Sequence, residues 1–155
     1  MKPNNLLFHF QKTLFGIIEW DANFKLIDWN SPAEKIFGYT KSEIIGKKGI
    51  DFIVAENTKA DVQKTFNDLY LRKESNTSII TNITKDGKEI ICEWFNTTGT
   101  DEKGNIRRIV SIVRDITKIK QKKTYEQLEL QEKEQTHKLK NLDKQLKSSK
   151  NPYTL

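Results

Sequence analysis

The chain has 155 residues, 35% of them hydrophobic and 31% charged, enough for one ordinary domain plus an extension that buries little. Its one cysteine, Cys92, excludes an internal disulfide; Cys and His never cluster at metal-ligand spacing, and no apolar run reaches the ~18 residues of a membrane span. The net charge of +6 is lopsided: residues 1–117 hold 17 basic and 16 acidic side chains, residues 118–155 hold 10 and 5. All three Trp and all eight Phe precede residue 96, so an aromatic, nearly neutral domain is followed by a polar, basic tail.

Leu7, Phe10 and Leu14 stand at helical spacing and predict an amphipathic helix over residues 1–14. Phe15–Trp20 and Phe24–Trp29 are strand-like runs split by Asp21-Ala22-Asn23, a hairpin pattern. Ser31-Pro32-Ala33-Glu34 offers a capping hydroxyl, a proline at the first helical position and a glutamate to close a capping box; Gly38 ends that helix. Thr40-Lys41-Ser42-Glu43 repeats the device for a second brief helix, stopped at Gly46. Val62, Phe66, Leu69 and Tyr70 share one face of a longer helix over about 57–73. Beyond it the period falls to two, and Ser78–Thr84, Glu89–Thr97 and Ile106–Ile116 read as strands. The first two are joined at Asp86-Gly87, a pair that supplies the positive φ angles of a tight hairpin. This order predicts an α+β fold, one antiparallel sheet with helices on one face.

Five stretches, in order, carry a resemblance: Gly16-Ile17-Ile18-Glu19-Trp20-Asp21, Trp29 to Tyr39, Glu43-Ile44-Ile45-Gly46-Lys47, Thr84-Lys85-Asp86-Gly87-Lys88 and Arg114-Asp115-Ile116-Thr117. Over about residues 12–118 the sequence resembles a PAS domain of the S-box sensor family. Ile91 to Thr97 resembles a subgroup often attached to histidine kinases and diguanylate cyclases. The resemblance implies about five antiparallel strands with short helices closing over a small central pocket. It divides the chain into an N-terminal helix (1–14), a PAS domain (15–117), a coiled-coil signalling helix (118–147) and a flexible tail (148–155).

Strand alternation puts Cys92, Trp94 and Asn96 on one face, and Ile109, Ser111 and Val113 on one face of the next strand. Similarity to flavin-binding relatives places Asn82, Cys92 and Val113 where those proteins contact the ring, which turns this face inward. Trp29, Asn82, Cys92, Trp94, Asn96, Ser111 and Val113 are therefore the pocket candidates. Phe95, Val110 and Ile112 then form an apolar outer face, to be covered by the N-terminal helix or a second subunit. The photoactive relatives carry a cysteine where this sequence has Gly49, so Cys92 on its strand forms no flavin adduct. Non-covalent flavin or a small polar metabolite are the candidate ligands, against a filled core in which Trp94 plugs the space. Haem is disfavoured, because the long helix lacks a histidine. No paired carboxylates, nucleophile–base pair or phosphate loop stands at a convincing spacing, so no catalytic residue is expected.

Residues 118–147 lack Pro and Gly and are rich in Glu, Lys, Gln and Leu, which favours helix. Tyr125, Leu128, Leu139, Leu142 and Leu146 fit heptad positions a and d, with Glu132 and Gln135 as a polar interruption. A parallel coiled-coil dimer follows, against the alternative of a single solvated helix. His137-Lys138-Leu139-Lys140-Asn141 faintly resembles the phosphoacceptor box of some histidine kinases, with His137 at an exposed f position. Interspersed Lys and Glu read as a solvated helix face rather than a nucleic-acid surface. The expectation is a cytoplasmic, non-catalytic sensory module of the two-component kind, with no membrane partner. It pairs with itself, with Phe95 and Ile112 adding to the seam. Asp115, Ile116 and Thr117 relay changes to the tail, and output goes to a separate effector such as a kinase or cyclase. The alternative is a fragment or relative of a histidine kinase with His137 as phosphoacceptor.

Overall fold

In a computed structural model, residues 14–72 and 75–149 are described. The expected N-terminal helix thus falls almost wholly outside the described residues, as does most of the expected flexible tail. The strands are β1 (Gly16–Asp21), β2 (Leu26–Trp29), β3 (Asn76–Ile83), β4 (Glu89–Thr100) and β5 (Ile106–Asp115). The helices are α1 (Ser31–Phe37), α2 (Lys41–Ile44), α3 (Lys59–Arg72) and α4 (Thr117–Ser149). All strand pairs are antiparallel in the order β2-β1-β5-β4-β3, which sets the first strand beside the last. The described residues fall into two units, divided after Thr117.

Local chemistry explains the element ends and shifts several of them. The Asp21 carboxylate accepts from the backbone N–H of Asn23 at 2.7 Å and of Lys25 at 2.9 Å, winding a side-chain-closed turn. Phe24 in that turn has φ +58°, so β2 starts at Leu26 rather than at Phe24. Asn30, not Ser31, caps α1: its Oδ1 accepts from Ala33 N–H at 3.1 Å and also from Ile17 N–H at 2.9 Å, tying the helix start to β1. Glu34 does not close a capping box there; its carboxylate accepts from Lys41 N–H at 2.7 Å. The box at α2 is formed as expected, with the Glu43 carboxylate accepting from Thr40 N–H at 2.8 Å. In the β3–β4 turn Gly87 alone takes positive φ (+83°), while Asp86 stays in ordinary space. A 3-10 turn at Glu56–Thr58 delays α3 to Lys59.

The inner face of the sheet packs on the helices. Ile18, Leu26, Phe37, Ile44, Ile53, Leu69, Ile109 and Val113 are the largest fully buried apolar side chains of that core, and the rings of Trp20, Trp29 and Trp94 are nearly as deep. Alternation along β4 buries Ile90, Cys92, Trp94 and Asn96; along β5 it buries Ile109, Ser111 and Val113. On the outer face Phe95 and Ile112 are direct cross-strand partners, 40% and 39% exposed. Cross-strand ion pairs of Glu93 with Arg114 and of Glu19 with Arg108 lie on the same face. In the second unit α4 continues through Ser149, two residues past the expected end, because Ser148 and Ser149 hydroxyls bond back to Gln145 and Leu146 carbonyls. No residue of α4 is buried, so Tyr125, Leu128, Leu139, Leu142 and Leu146 are all presented to solvent.

Candidate functional site

A cavity of ≈ 30 Å³ opens against the inner face of the sheet. Trp20, Trp94, Asn96, Ser111 and Ser78 line it from the strands, Val62, Thr65 and Phe66 from α3, and Phe24 and Gly49 from the intervening turns. Space of that size takes one or two water-sized groups.

Its polar wall is one connected path. The Trp20 indole N–H donates to Ser111 Oγ at 2.9 Å, and Ser111 Oγ donates to Asn96 Oδ1 at 2.6 Å. Asn96 Nδ2 donates to Asn76 Oδ1 at 2.9 Å, and Asn76 Nδ2 reaches the Thr65 carbonyl at 3.4 Å. The path therefore crosses β1, β5, β4 and β3 and ends on α3. A hydroxyl is what the Ser111 position needs, since it must accept from an indole N–H while donating to an amide oxygen. A second path pins the segment before α3: Trp94 Nε1 donates to Asn82 Oδ1 at 2.9 Å, and Asn82 Nδ2 donates to the Ile53 carbonyl at 2.7 Å.

Phe24 closes one side. Its ring stacks on Phe66 (centroids 3.8 Å apart, 20° between planes) and meets Tyr70 edge-on at 5.7 Å. A bulky residue at positive φ is costly, and this aromatic contact offsets the cost. Burial, with the Asp21 charge second, raises the Tyr70 hydroxyl above its ordinary pKa. At Gly49 a side chain would collide with the Trp20 ring, a Cβ meeting it at 2.5 Å, so this approach requires glycine.

Of the seven pocket residues expected from sequence, Trp94, Asn96 and Ser111 line the cavity. Trp29, Asn82, Cys92 and Val113 are buried in the core and do not form its lining. Trp29 stacks on Phe37 at 5.8 Å, and Phe37 on Trp94 at 5.9 Å; the Trp29 indole N–H is buried without a partner. Cys92 is fully buried, and burial, then the Asp115 charge, pushes its thiol far above its ordinary pKa. It behaves as a small neutral hydrophobe. Sequence reasoning missed Trp20, Phe24, Thr65, Phe66 and Ser78. Trp20 was readable from the alternation of β1, whereas Phe24 reaches the cavity only through a backbone conformation its type rarely adopts.

A three-ring flavin does not fit this interior. Pockets for such ligands run to roughly 300 Å³ or more, and both the oxygen and the nitrogen of the Asn82 side-chain amide are already committed within the protein.

At the end of β5 a second arrangement is built. Asp115 Oδ1 accepts from Thr117 N–H at 2.9 Å and from Thr117 Oγ1 at 2.6 Å. Thr117 Oγ1 in turn accepts from Ile91 N–H at 2.9 Å, and Ile116 N–H donates to the Ile91 carbonyl at 2.8 Å. The first residue of α4 is thereby clasped to β4, with Ile116 buried beneath it.

Comparison with known proteins agrees with this geometry. The chain matches the PAS domain family over residues 14–118. It is similar to the PAS domain of a protein from Colwellia psychrerythraea, with a TM-score of 0.66, 23% identity and coverage of 72% of this chain and 94% of that one. It is similar also to a sensory box histidine kinase/response regulator from Burkholderia thailandensis E264, with a TM-score of 0.63, 16% identity and coverage of 79% and 92%. An RNA-binding light-oxygen-voltage receptor gives a TM-score of 0.68 at 20% identity, over 88% of this chain but 39% of that one. No protein among the curated sequences matches the chain. With more than half of its length matched and the five-stranded sheet formed, the chain belongs to the PAS domain family of sensory modules.

Proposed function

We propose that this PAS module reads the packing or occupancy of its interior cavity and passes the result to α4, which pairs with a second copy as a parallel coiled coil. The observation that carries the reading is Ser111. This one residue of β5 holds the polar wall of the cavity together, and the same strand runs four residues on into the Asp115–Thr117 clasp. A small hydrogen-bonding molecule entering between Trp20, Asn96 and Ser111 would exchange bonds with that path and shift β5. The cavity's size and its polar side chains, Thr65, Ser78, Asn96 and Ser111, none of them charged, suit a neutral ligand of a few heavy atoms.

The exposed heptad residues Leu128, Leu139, Leu142 and Leu146 support self-pairing, since an isolated helix leaves them in water. Flanking charges favour the parallel arrangement, in which Lys138 at g lies opposite Asp143 at e of the other copy. Glu132 and Gln135 keep the seam weak, so two packings need differ by only a few kcal/mol for the strand to bias them. Phe95 and Ile112 extend the contact on the outer face of the sheet. The module itself performs no catalysis; a separate effector such as a kinase or cyclase, in the cytoplasm, takes its output. Native mass tests the pairing: Leu139→Asp with Leu142→Asp should turn a dimer into a monomer, and an unchanged dimer refutes the role of α4.

A further inference from the structure

The charge of the second unit is sorted by helix geometry in a way its linear order conceals. At 100° per residue, Lys133, His137, Lys140, Lys144 and Lys147 follow one another at steps of four and three and fall within an arc of about 80°. From 133 to 148 no carboxylate enters that arc. Glu134 lies about 100° round from its centre and Asp143 about 80° to the other side. Asp143 pairs with Lys147 at 2.6 Å from that flank. Glu126 and Glu129 share the arc one to two turns earlier and close the stripe at its N-terminal end. The mixture of Lys and Glu that reads as a neutralised face thus holds for the first half of α4 and fails for the second. Every stripe residue is exposed.

We propose that this stripe is a docking surface for the phosphate backbone of a double-stranded nucleic acid, bound without regard to sequence. At 1.5 Å per residue it extends about 21 Å, the axial length of about six phosphates on one strand. Its fixed charges are lysines, point charges on flexible stems that meet phosphates without the rigid planar fork of a guanidinium. Leu139, Leu142 and Leu146 lie on the opposite side of the helix, so the stripe stays open when the heptad seam is paired. No aromatic or aliphatic side chain lies within the acid-free stretch to anchor a protein partner. Glu132 and Gln135 break the leucine face that a membrane-lying helix would have to bury.

Fluorescence anisotropy of a labelled duplex DNA with the full chain tests this between about 50 and 200 mM salt. Four lysine–phosphate contacts predict a slope of log K against log salt near −3.6, or roughly a hundredfold loss across that range. Replacing Lys133, Lys140, Lys144 and Lys147 by Gln, with helicity checked by circular dichroism, should weaken binding at least tenfold at the lower salt and flatten the slope. Absence of binding by the unsubstituted chain, or an unchanged slope in the variant, overturns the proposal. Equal affinity for a polyglutamate peptide reassigns the stripe to an acidic protein. Uptake onto phosphatidylserine vesicles that Leu139→Asp abolishes reassigns the helix to a membrane surface. Because the stripe faces away from the seam, a failure here leaves the native-mass test of pairing untouched.

Discussion

Removing the Ser111 hydroxyl is the sharpest perturbation of the cavity wall. Ser111→Ala deletes the acceptor of the Trp20 indole N–H and the donor to Asn96 Oδ1, bonds of 2.9 and 2.6 Å between groups that are all buried. A buried polar group left unpaired costs about 1–3 kcal/mol, so two would cost about 2–6 kcal/mol. The adjoining cavity of ≈ 30 Å³ has room for a water that can satisfy one of them, which brings the expected loss to about 1–3 kcal/mol. Urea unfolding followed by tryptophan fluorescence measures it cleanly, because all three tryptophans lie in the first unit. The midpoint should fall with the slope unchanged. Combining Ser111→Ala with Asn96→Ala should show a coupling of about 1 kcal/mol or more. A loss below about 0.5 kcal/mol would refute the path, since an ordinary surface change costs no more.

Three further outcomes follow from the same structure. Gly49→Ala drives a methyl into the Trp20 ring, which the Ser111 bond holds in place, and should destabilise by about 1–3 kcal/mol; wild-type stability would mean the ring is free to move. The Lys85 ammonium beside Glu43, with the Thr40 bonds, holds that carboxyl at about 2 instead of its ordinary 4.5. Its contribution to stability is therefore full above the ordinary value and is lost as pH falls towards 2. Carboxyl NMR should place the Glu43 midpoint near 2, and Glu43→Gln should reduce the slope of stability against pH in that window; a midpoint near 4.5 contradicts the pairing. Cys92 should resist thiol reagents in the folded protein and react at once in urea, as a buried neutral thiol does; prompt native labelling would show that the interior opens.

The sheet was legible because its strands obey a two-residue period, which sorted β4 and β5 into two faces; the resemblance to flavin-binding relatives then turned the Cys92 face inward and left Phe95 and Ile112 outside. The Thr40–Glu43 box was legible because its members are adjacent in sequence. The α1 cap was misread by one residue: Asn30 and Ser31 are both capping types, and only the tertiary bond from Ile17 N–H selects Asn30. The site was half legible for a related reason. Alternation says that Cys92 and Trp94 share a face, but which of them borders empty space depends on what α3 and the Phe24 turn bring from elsewhere in the chain. Likewise α4 reads as a mixed-charge helix along the sequence, and only its three-dimensional period separates the acid-flanked half from the basic stripe.

Coupling between the cavity wall and the helix that follows β5 is the step on which the proposed relay depends. Hydrogen exchange of the amides in residues 118–147 measures it directly, comparing the unsubstituted chain with Ser111→Ala under native conditions. Coupling predicts faster exchange along α4 when the hydroxyl is lost, although Ser111 lies in the other unit. Identical protection of α4 in both proteins, with the first unit alone loosened, would contradict it.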